Sequence, residues 1–472
     1  MIDRFQNGDR ENDFEVNNED PYAYQGGDFQ GIIDKLDYVK EMGFTTIALT
    51  PIFANEEGGY HGYWINDFND VDKHFGTKET FKALVKEAHQ REMKVMIDFV
   101  TSHVGPNHPW MNDPKKQGWL QHEITDKDVE GQLKSEWGDE IAFINFNNPE
   151  VKDYFIDIAK KWINETNIDG YRLDTVNHAP VAFWKAFSQA VKAEKENFYL
   201  LGDIQSEDSS VLVQYEQAGI DGWIDMPLNQ PLRNAFAKPG ESSQPVFETM
   251  AKNNQLFSKE PPMTAFFDHH KMERFTREMV ENNEFPGARW KLGLTYLYTI
   301  PETPMVYYGT EIAIDGGEAP ENRPLMNFRA DKELIDFITK LGEVRQEHPA
   351  LRRGTMEVLH ENNGMTVYKR QYKDDTFVIA INNTEEDHKI TLSADQLAEN
   401  QELRALLGTD LVRSENGEYP MFIERDVAEI YKLEDKSSIN YVFILITISV
   451  FLLFILFMYV VWKRGKNRVN NR

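Results

Sequence analysis

The chain has 472 residues, a formal charge of −27 and a pI of about 4.9. A chain of this length can bury a large core and exceeds the size of one small domain. The acidic balance excludes a nucleic-acid partner, because surfaces that bind nucleic acid need basic patches. It suits a neutral substrate and divalent cations. The absence of cysteine excludes disulfides and thiolate metal sites.

Continuous apolar segments alternate with helical patterns over the first two thirds of the chain. Helices are predicted at residues 31–42, 78–92 and 151–166, where apolar side chains recur at helical spacing. Apolar strands that alternate with helices are typical of a parallel sheet covered on both faces. Seven such strands predict an α/β fold, a (β/α)8 barrel that lacks most of its first strand. The predicted strands are residues 45–53, 93–100, 168–174, 198–204, 222–226, 264–268 and 304–308.

Two regions depart from this alternation. Residues 103–143 show little periodicity and contain three Trp residues, which predicts a long inserted loop or small subdomain at about residues 104–145. After a predicted helix at residues 332–345, short alternating strands predict a separate antiparallel β domain. The predicted domains are therefore a barrel at residues 1–350, a β-sandwich at 351–434 and a linker at 435–440.

The last predicted element is an uncharged apolar run at residues 441–462, flanked by Tyr441 and Trp462. A bilayer span needs about 20 apolar residues, and the basic flank at residues 463–472 is expected to stay cytoplasmic. We therefore predict a transmembrane helix in a single-pass cell-membrane protein with an extracellular barrel. A buried core helix is the less favoured alternative. Export needs a leader, so we expect a signal peptide and a first barrel strand upstream of Met1.

Polar side chains stand at the carboxyl ends of the predicted barrel strands, where barrels of this kind carry their chemistry. Arg172 and Asp174 share one face of a strand, so the guanidinium should keep the carboxylate ionised and able to act as a nucleophile. From these residues alone, a structural ion pair is the alternative. Carboxylates, histidines and aromatics together suggest a sugar site. The strand-end residues are His103, Arg172, Asp174, His178, Asp203, His269, His270 and Lys271.

Eight motifs occur in the order found in the α-amylase family of glycoside hydrolases, and the chain resembles that family from Met1 to about Leu433. The motifs are DRFQNGDREND (3–13), GGDFQGI (26–32), YHGYW (60–64), MIDFVTSHVGPNHPW (96–110), GYRLDTVNH (170–178), FFDHHKMERF (266–275), TPMVYYGTE (303–311) and ENRPLM (321–326). The resemblance implies a (β/α)8 barrel with a B subdomain after the third strand, and a C-terminal β-sandwich. It also implies a retaining mechanism on α-1,4-glucosidic bonds of starch-like glucans, in a monomer.

The resemblance also assigns roles to individual residues. It implies that Asp174 is the nucleophile, held by Arg172, and that Tyr63 stacks against the sugar ring. The histidines that it implies as contacts of the sugar are His61, His103 and His270, with His178 beside them at the strand end.

Two positions depart from the family pattern. Asp203 stands where the family has its acid Glu, and it is one methylene shorter. Lys271 stands where the family has an Asp that stabilises the positive transition state. A protonated Lys271 should pair with Asp174, whereas burial could instead leave Lys271 neutral. We therefore expect impaired or atypical hydrolysis; a non-catalytic α-glucan-binding protein is the alternative, and a membrane-tethered partner-binding domain is the least favoured one.

The resemblance implies one calcium site, in the acidic N-terminal loop. Six oxygen ligands with three carboxylates suit calcium, and an Asx-turn loop without metal is the alternative. The implied ligands are Asn7, Asp9, Asn12, Asp13, the Gly26 carbonyl and Asp28.

Overall fold

The computed structural model describes residues 1–257, 262–436 and 441–469. In chain order the strands are β1 (Thr46–Leu49), β2 (Phe53–Asn55), β3 (Ile65–Val71), β4 (Lys94–Val100), β5 (His103–Val104), β6 (Leu120–Gln121), β7 (Ala142–Ile144), β8 (Gly170–Asp174), β9 (Tyr199–Gly202), β10 (Gly222–Ile224), β11 (Met263–Ala265), β12 (Thr303–Pro304), β13 (Thr355–Asn362), β14 (Met365–Tyr372), β15 (Asp375–Asn382), β16 (His388–Ser393), β17 (Gln401–Ala405), β18 (Leu411–Arg413), β19 (Glu418–Ile423) and β20 (Val427–Asp435). The α-helices are α1 (Phe29–Asp34), α2 (Leu36–Glu41), α3 (Lys78–Gln90), α4 (Lys127–Trp137), α5 (Pro149–Thr166), α6 (Val181–Glu194), α7 (Ser210–Val213), α8 (Met226–Phe236), α9 (Gln244–Leu256), α10 (Phe275–Glu281), α11 (Pro286–Thr299), α12 (Glu333–Glu347), α13 (Pro349–Arg353) and α14 (Tyr441–Val469).

Seven parallel strands form the central sheet, in the order β1-β4-β8-β9-β10-β11-β12. Each overlaps one of the seven predicted strands, β12 by a single residue, so the predicted α/β sheet is confirmed. Within the described residues β1 and β12 are edge strands that do not pair with each other, and the barrel is open between them. A cavity of about 820 Å³ extends from this opening into the barrel interior.

The register of β4 and β8 places the polar residues of the site side by side. Asp98 lies opposite Arg172, and Val100 lies opposite Asp174. Strand β4 is buried from its second residue onward because helices cover its outer face. The helix before β8, α5, starts at the capping side chain of Asn148 and ends at Asn167, which adopts the left-handed conformation. These signals fix where β8 begins.

A small subdomain is inserted between β4 and α5. Its sheet has the order β5-β7-β6, and helix α4 packs beside it. The Asp126 carboxylate accepts hydrogen bonds from the backbone N–H groups of the first turn of α4, and the helix buries Val129, Leu133 and Trp137. The sequence interpretation gave this region no helix. The four-residue spacing of these apolar side chains after Asp126 is the signal that would have found it.

The C-terminal domain is antiparallel, as predicted. Six strands pair in the order β13-β14-β15-β20-β17-β18, and β16 pairs with β19. The two sheets enclose a core that includes Val367, Val378 and Met421. The guanidinium of buried Arg370 donates to the carbonyl of Thr299 at the end of α11, which joins this domain to the barrel.

Helix α14 contains the run predicted to cross a membrane. A span needs about 20 consecutive apolar residues. A search of the residues that the structure describes finds no helix long and apolar enough to cross a bilayer. This finding contradicts the predicted transmembrane helix at 441–462, the membrane partner and the single-pass localisation. The side chains of residues 441–444, 447 and 464–469, and all of residues 437–440 and 470–472 of the predicted linker and tail, lie outside the described ones.

Candidate active site

The guanidinium of Arg172 joins three carboxylates at the carboxyl end of the sheet. It donates to Asp98 on β4 and to Asp203 after β9, and its third partner, Asp174 Oδ1, lies 3.4 Å from Nη1. All four side chains are almost fully buried. The predicted contact between Arg172 and Asp174 is therefore present, but the shorter bonds of Arg172 go to the other two carboxylates. Asp98 was not singled out in the sequence, although it lies in the same motif as His103.

Asp174 is the most completely enclosed carboxylate of the group, with none of its side chain exposed. Nζ of Lys271 lies 2.9 Å from its Oδ1, and the Thr175 hydroxyl donates to its Oδ2 at 3.1 Å. Burial alone would raise the pKa of Asp174, but the charges of Lys271 and Arg172 outweigh it and hold the pKa at about 2. Asp174 is therefore ionised at neutral pH.

Lys271 pairs with two carboxylates at once. Its Nζ is 2.9 Å from Asp174 and 2.9 Å from Oε2 of Glu136, and only 1% of its side chain is exposed. Burial lowers the pKa of Lys271, but the charges of Asp174, Glu136 and Asp203 outweigh it and raise the pKa above its ordinary value. The predicted contact with Asp174 is therefore present, and the neighbouring carboxylates favour a protonated Lys271 over the neutral alternative.

The environment of Asp203 leaves one oxygen free. Its Oδ2 accepts from Arg172, whereas its buried Oδ1 has no hydrogen-bond partner among the described residues. Glu207 and Asp208, which follow it, are exposed and lie outside the buried site. The other nearby carboxylate, Asp268, accepts from the backbone N–H of Phe275 at 2.6 Å and serves the loop after β11.

Aromatic rings and histidines cover the ionic cluster. The Tyr63 hydroxyl donates to Asp98, and Nε2 of His270 lies 2.7 Å from the same hydroxyl. The Trp137 ring from α4 lies parallel to the Tyr63 ring, with centroids 3.9 Å apart. The His61 and His103 rings also lie beside Trp137, with centroids 4.9 and 6.3 Å away. The structure thus brings the predicted sugar-contacting residues together around a tryptophan that sequence reasoning missed.

His178 has a different position. Its Nε2 lies 2.9 Å from the carbonyl oxygen of Ile144 on β7, and burial lowers its pKa to about 4. A neutral His178 therefore donates to this carbonyl and ties the inserted subdomain to the end of β8. Its assignment as a sugar contact stays a prediction.

The N-terminal loop brings part of the implied calcium ligand set together. Nδ2 of Asn7 donates to Asp13 Oδ1 at 2.7 Å, and a Cβ added to Gly26 would lie within 3 Å of both side chains. The Oδ1 of Asn12 is buried and unpaired among the described residues. These oxygens are of the type that calcium prefers, so this half of the set fits the ion.

The other half of the implied set is already engaged by the backbone. The Asp28 carboxylate accepts from the N–H groups of Gly8, Asp9 and Gly31 and caps α1. The Asp9 side chain accepts from the N–H of Glu11. A search of the described residues for three or more clustered His, Cys, Asp or Glu side chains that could hold a metal finds none.

Comparison with known proteins gives two family matches and several relatives. Residues 1–327 match the alpha amylase catalytic domain, and residues 354–431 match the alpha-amylase C-terminal domain. The chain is 35% identical over 439 residues to a beta/alpha-amylase of Paenibacillus polymyxa, which covers 88% of this chain and 36% of that protein. It is 33% identical over 402 residues to a cyclomaltodextrinase of Geobacillus thermopakistaniensis, which covers 79% of this chain and 65% of that protein.

The fold has a near match among solved structures. The crystal structure of an Anoxybacillus α-amylase superposes with a TM-score of 0.90 at 51% identity, covering 93% of this chain and 97% of that chain. The two curated relatives above are longer, and the chain spans about a third of the first and just under two thirds of the second.

Proposed function

Because the chain belongs to the α-amylase family of glycoside hydrolases, we propose that it binds α-1,4-linked glucans at the carboxyl end of its barrel and hydrolyses them slowly. The observation that carries the reduced rate is the buried ion pair between Lys271 and Asp174. Support for the substrate class comes from relatives whose names are cyclomaltodextrinase and maltogenic α-amylase.

The proposed chemistry uses two carboxyl groups in a retaining reaction. An ionised Asp174 attacks the anomeric carbon and forms a covalent glycosyl ester while the glycosidic oxygen leaves. Asp203 in its acid form donates a proton to that oxygen through its free Oδ1, and then takes a proton from the water that cleaves the ester. Arg172 binds both side chains and so fixes their relative positions.

The proposed reduction in rate has two causes. The transition state carries positive charge, so repulsion by a protonated Lys271 raises the activation free energy. At an effective dielectric constant of about 20 this rise is up to about 4 kcal/mol, which corresponds to roughly a thousandfold in rate. Asp203 is shorter than the Glu of the family pattern, and a misplacement of about 1 Å can cost roughly a hundredfold. The same Lys271 must also release Asp174 before that carboxylate can attack.

A second candidate function is glucan binding without hydrolysis. It is favoured by the double pairing of Lys271, which also binds Glu136 and is thereby held in place against Asp174. Reducing-sugar release from starch and migration in amylose-containing native gels separate the two functions. Release of reducing sugar supports slow hydrolysis, whereas retardation in the gel without release supports binding alone. The absence of both release and retardation would contradict both functions.

Calcium in the N-terminal loop is a further part of the proposal. Asn7, Asn12, Asp13 and the Gly26 carbonyl would hold the ion, which would supply positive charge that ties the loop together. Asp9 and Asp28 would shape the loop through their backbone hydrogen bonds. The ion has no step in the proposed reaction.

A further inference from the structure

Trp137 covers one face of Tyr63, the ring that is proposed to stack against the sugar. The two rings are parallel to within 14° at a centroid separation of 3.9 Å, which is a stacking contact. Trp137 is 3% exposed, and Tyr63 is not exposed at all. A glucosyl ring and an indole ring cannot occupy the same face of Tyr63, so a sugar cannot stack on this face while Trp137 is there.

The residue before Trp137 fills the neighbouring ionic position. Glu136 binds Nζ of Lys271, and Lys271 in turn binds Asp174. Two consecutive residues at the end of α4 therefore contact the Tyr63 ring and the lysine that pairs with the reacting carboxylate. Their backbone is held from below by Trp64, whose indole N–H donates to the Trp137 carbonyl at 2.8 Å. We name these two residues, Glu136 and Trp137, the plug.

The open space in the barrel lies beneath the site and does not replace the filled one. The cavity of about 820 Å³ is lined by Arg172, Asp203 and His270, but neither Asp174 nor Tyr63 lines it. In the described part of the chain, the carboxylate proposed as nucleophile is therefore closed off from the cavity as well as from solvent. A glucan can reach Asp174 only if some covering group moves.

Two features favour movement of the plug over movement of the sheet. The Nε1 donor of Trp137 is buried without a hydrogen-bond partner among the described residues, which disfavours the closed state. Gly138 follows at φ 101°, and a Cβ placed there would meet nothing within 4 Å. The helix thus ends in a glycine with free space around it, while Arg172 and Asp174 are fixed on paired strands.

We propose that Glu136 and Trp137 form an autoinhibitory plug in the glucosyl pocket, and that α-glucan binding requires its displacement. This inference rests on the proposed function of the same site. The apparent affinity for glucan is then the intrinsic affinity reduced by the fraction of molecules with the plug open. Longer glucans gain contacts outside the pocket, so they offset the free-energy cost of displacing the plug better than short glucans do.

The first arm of the test measures opening without any sugar. The chain has no cysteine, so His103→Cys places one thiol in the fully buried site, behind the Trp137 ring. Its reaction with a thiol reagent reports how often the pocket opens. Adding Trp137→Ala to the His103→Cys variant should speed labelling at least about tenfold. Adding the milder Glu136→Gln instead should speed it about threefold. The control is Trp119→Ala, since Trp119 is a buried tryptophan of the same subdomain that makes an edge-to-face contact with Trp110.

The second arm measures sugar binding by calorimetry, with maltoheptaose and acarbose as probes and His103 intact. Trp137→Ala should bind at least about tenfold more tightly than the unaltered chain, and Trp119→Ala should not. Labelling that is as slow in Trp137→Ala and Glu136→Gln as in the control overturns the plug. Faster labelling without sugar binding in any variant supports the plug and overturns the proposed function. Faster labelling with weaker sugar binding makes Trp137 a wall of the sugar site and overturns the plug.

Discussion

Nζ of Lys271 lies 2.9 Å from Oδ1 of Asp174, and neither side chain is more than 1% exposed. The two residues are 97 positions apart in the chain and meet because β8 and the loop after β11 end at the same rim of the sheet. Breaking such a pair by removing one partner leaves a buried charge, which is costly. This contact therefore decides both the protonation state of the site and the chemistry that it can perform.

Replacing Lys271→Asp and Asp203→Glu together should raise the rate of starch hydrolysis by about a thousandfold or more. The first change removes the cation that opposes the transition state, and the second restores the reach of the acid. Asp203 borders the cavity, so an added methylene has room. The measurement is reducing-sugar release, with surface variant Lys291→Asp as control, since Lys291 also pairs with a carboxylate. An unchanged rate in the double variant would show that these positions are misassigned.

Asp174 should contribute stability that disappears in acid. Its folded pKa of about 2 lies below the ordinary value of 3.8, so its contribution is fully present above pH 3.8 and is lost as the pH falls through 2. The shift corresponds to roughly 2–3 kcal/mol. Denaturant unfolding of the unaltered chain and of Asp174→Asn should therefore differ by that much more at pH 5 than at pH 2. A difference that is the same at both pH values would contradict the buried ion pair.

Arg172→Lys should destabilise the fold strongly although it conserves charge. A lysine cannot reach Asp98, Asp174 and Asp203 at once, so buried carboxylates lose a partner at a cost of about 3–5 kcal/mol. The matched control is Arg277→Lys, which alters an exposed bidentate pair with Asp315 and should cost less than about 1 kcal/mol. Urea unfolding measures the free energy of unfolding of both variants. Equal losses of stability would show that the contacts of Arg172 with three buried carboxylates contribute no more than an exposed ion pair.

Calcium should raise the melting temperature by a few degrees if the N-terminal loop binds it, because an ion that binds only the folded state stabilises it by mass action. Asp13→Ala should abolish the response, since its carboxylate faces Asn7 and Gly26. Asp20→Ala is the control, because Asp20 lies in the same loop and only caps a turn through the N–H of Tyr22. A thermal scan with calcium and with chelator gives the answer, and identical melting in both would remove calcium from the proposal.

The regular elements were predictable because their signals are local. Most of the seven barrel strands lie on short apolar runs, and α5 is flanked by its cap residues in the sequence. The missed helix α4 shows the limit, because loop-like Pro and Gly residues around it masked the spacing of Val129, Leu133 and Trp137. The predicted membrane span shows another limit, since it rested on the length of an uncharged run and the residues that flank it, and the search of the described residues contradicts it.

The candidate site divides in the same way. Sequence by itself determined the family, the seven strands and the residues at their ends, because motif order and apolar periodicity are properties of neighbouring residues. Only the tertiary structure brought Lys271 between the carboxylates of Asp174 and Glu136, whose charges raise its pKa whereas burial lowers it. Only the tertiary structure placed Trp137 on Tyr63. Trp64, next to Tyr63, donates to the carbonyl of Trp137, which lies 73 residues further along the chain, so the two segments meet only through packing.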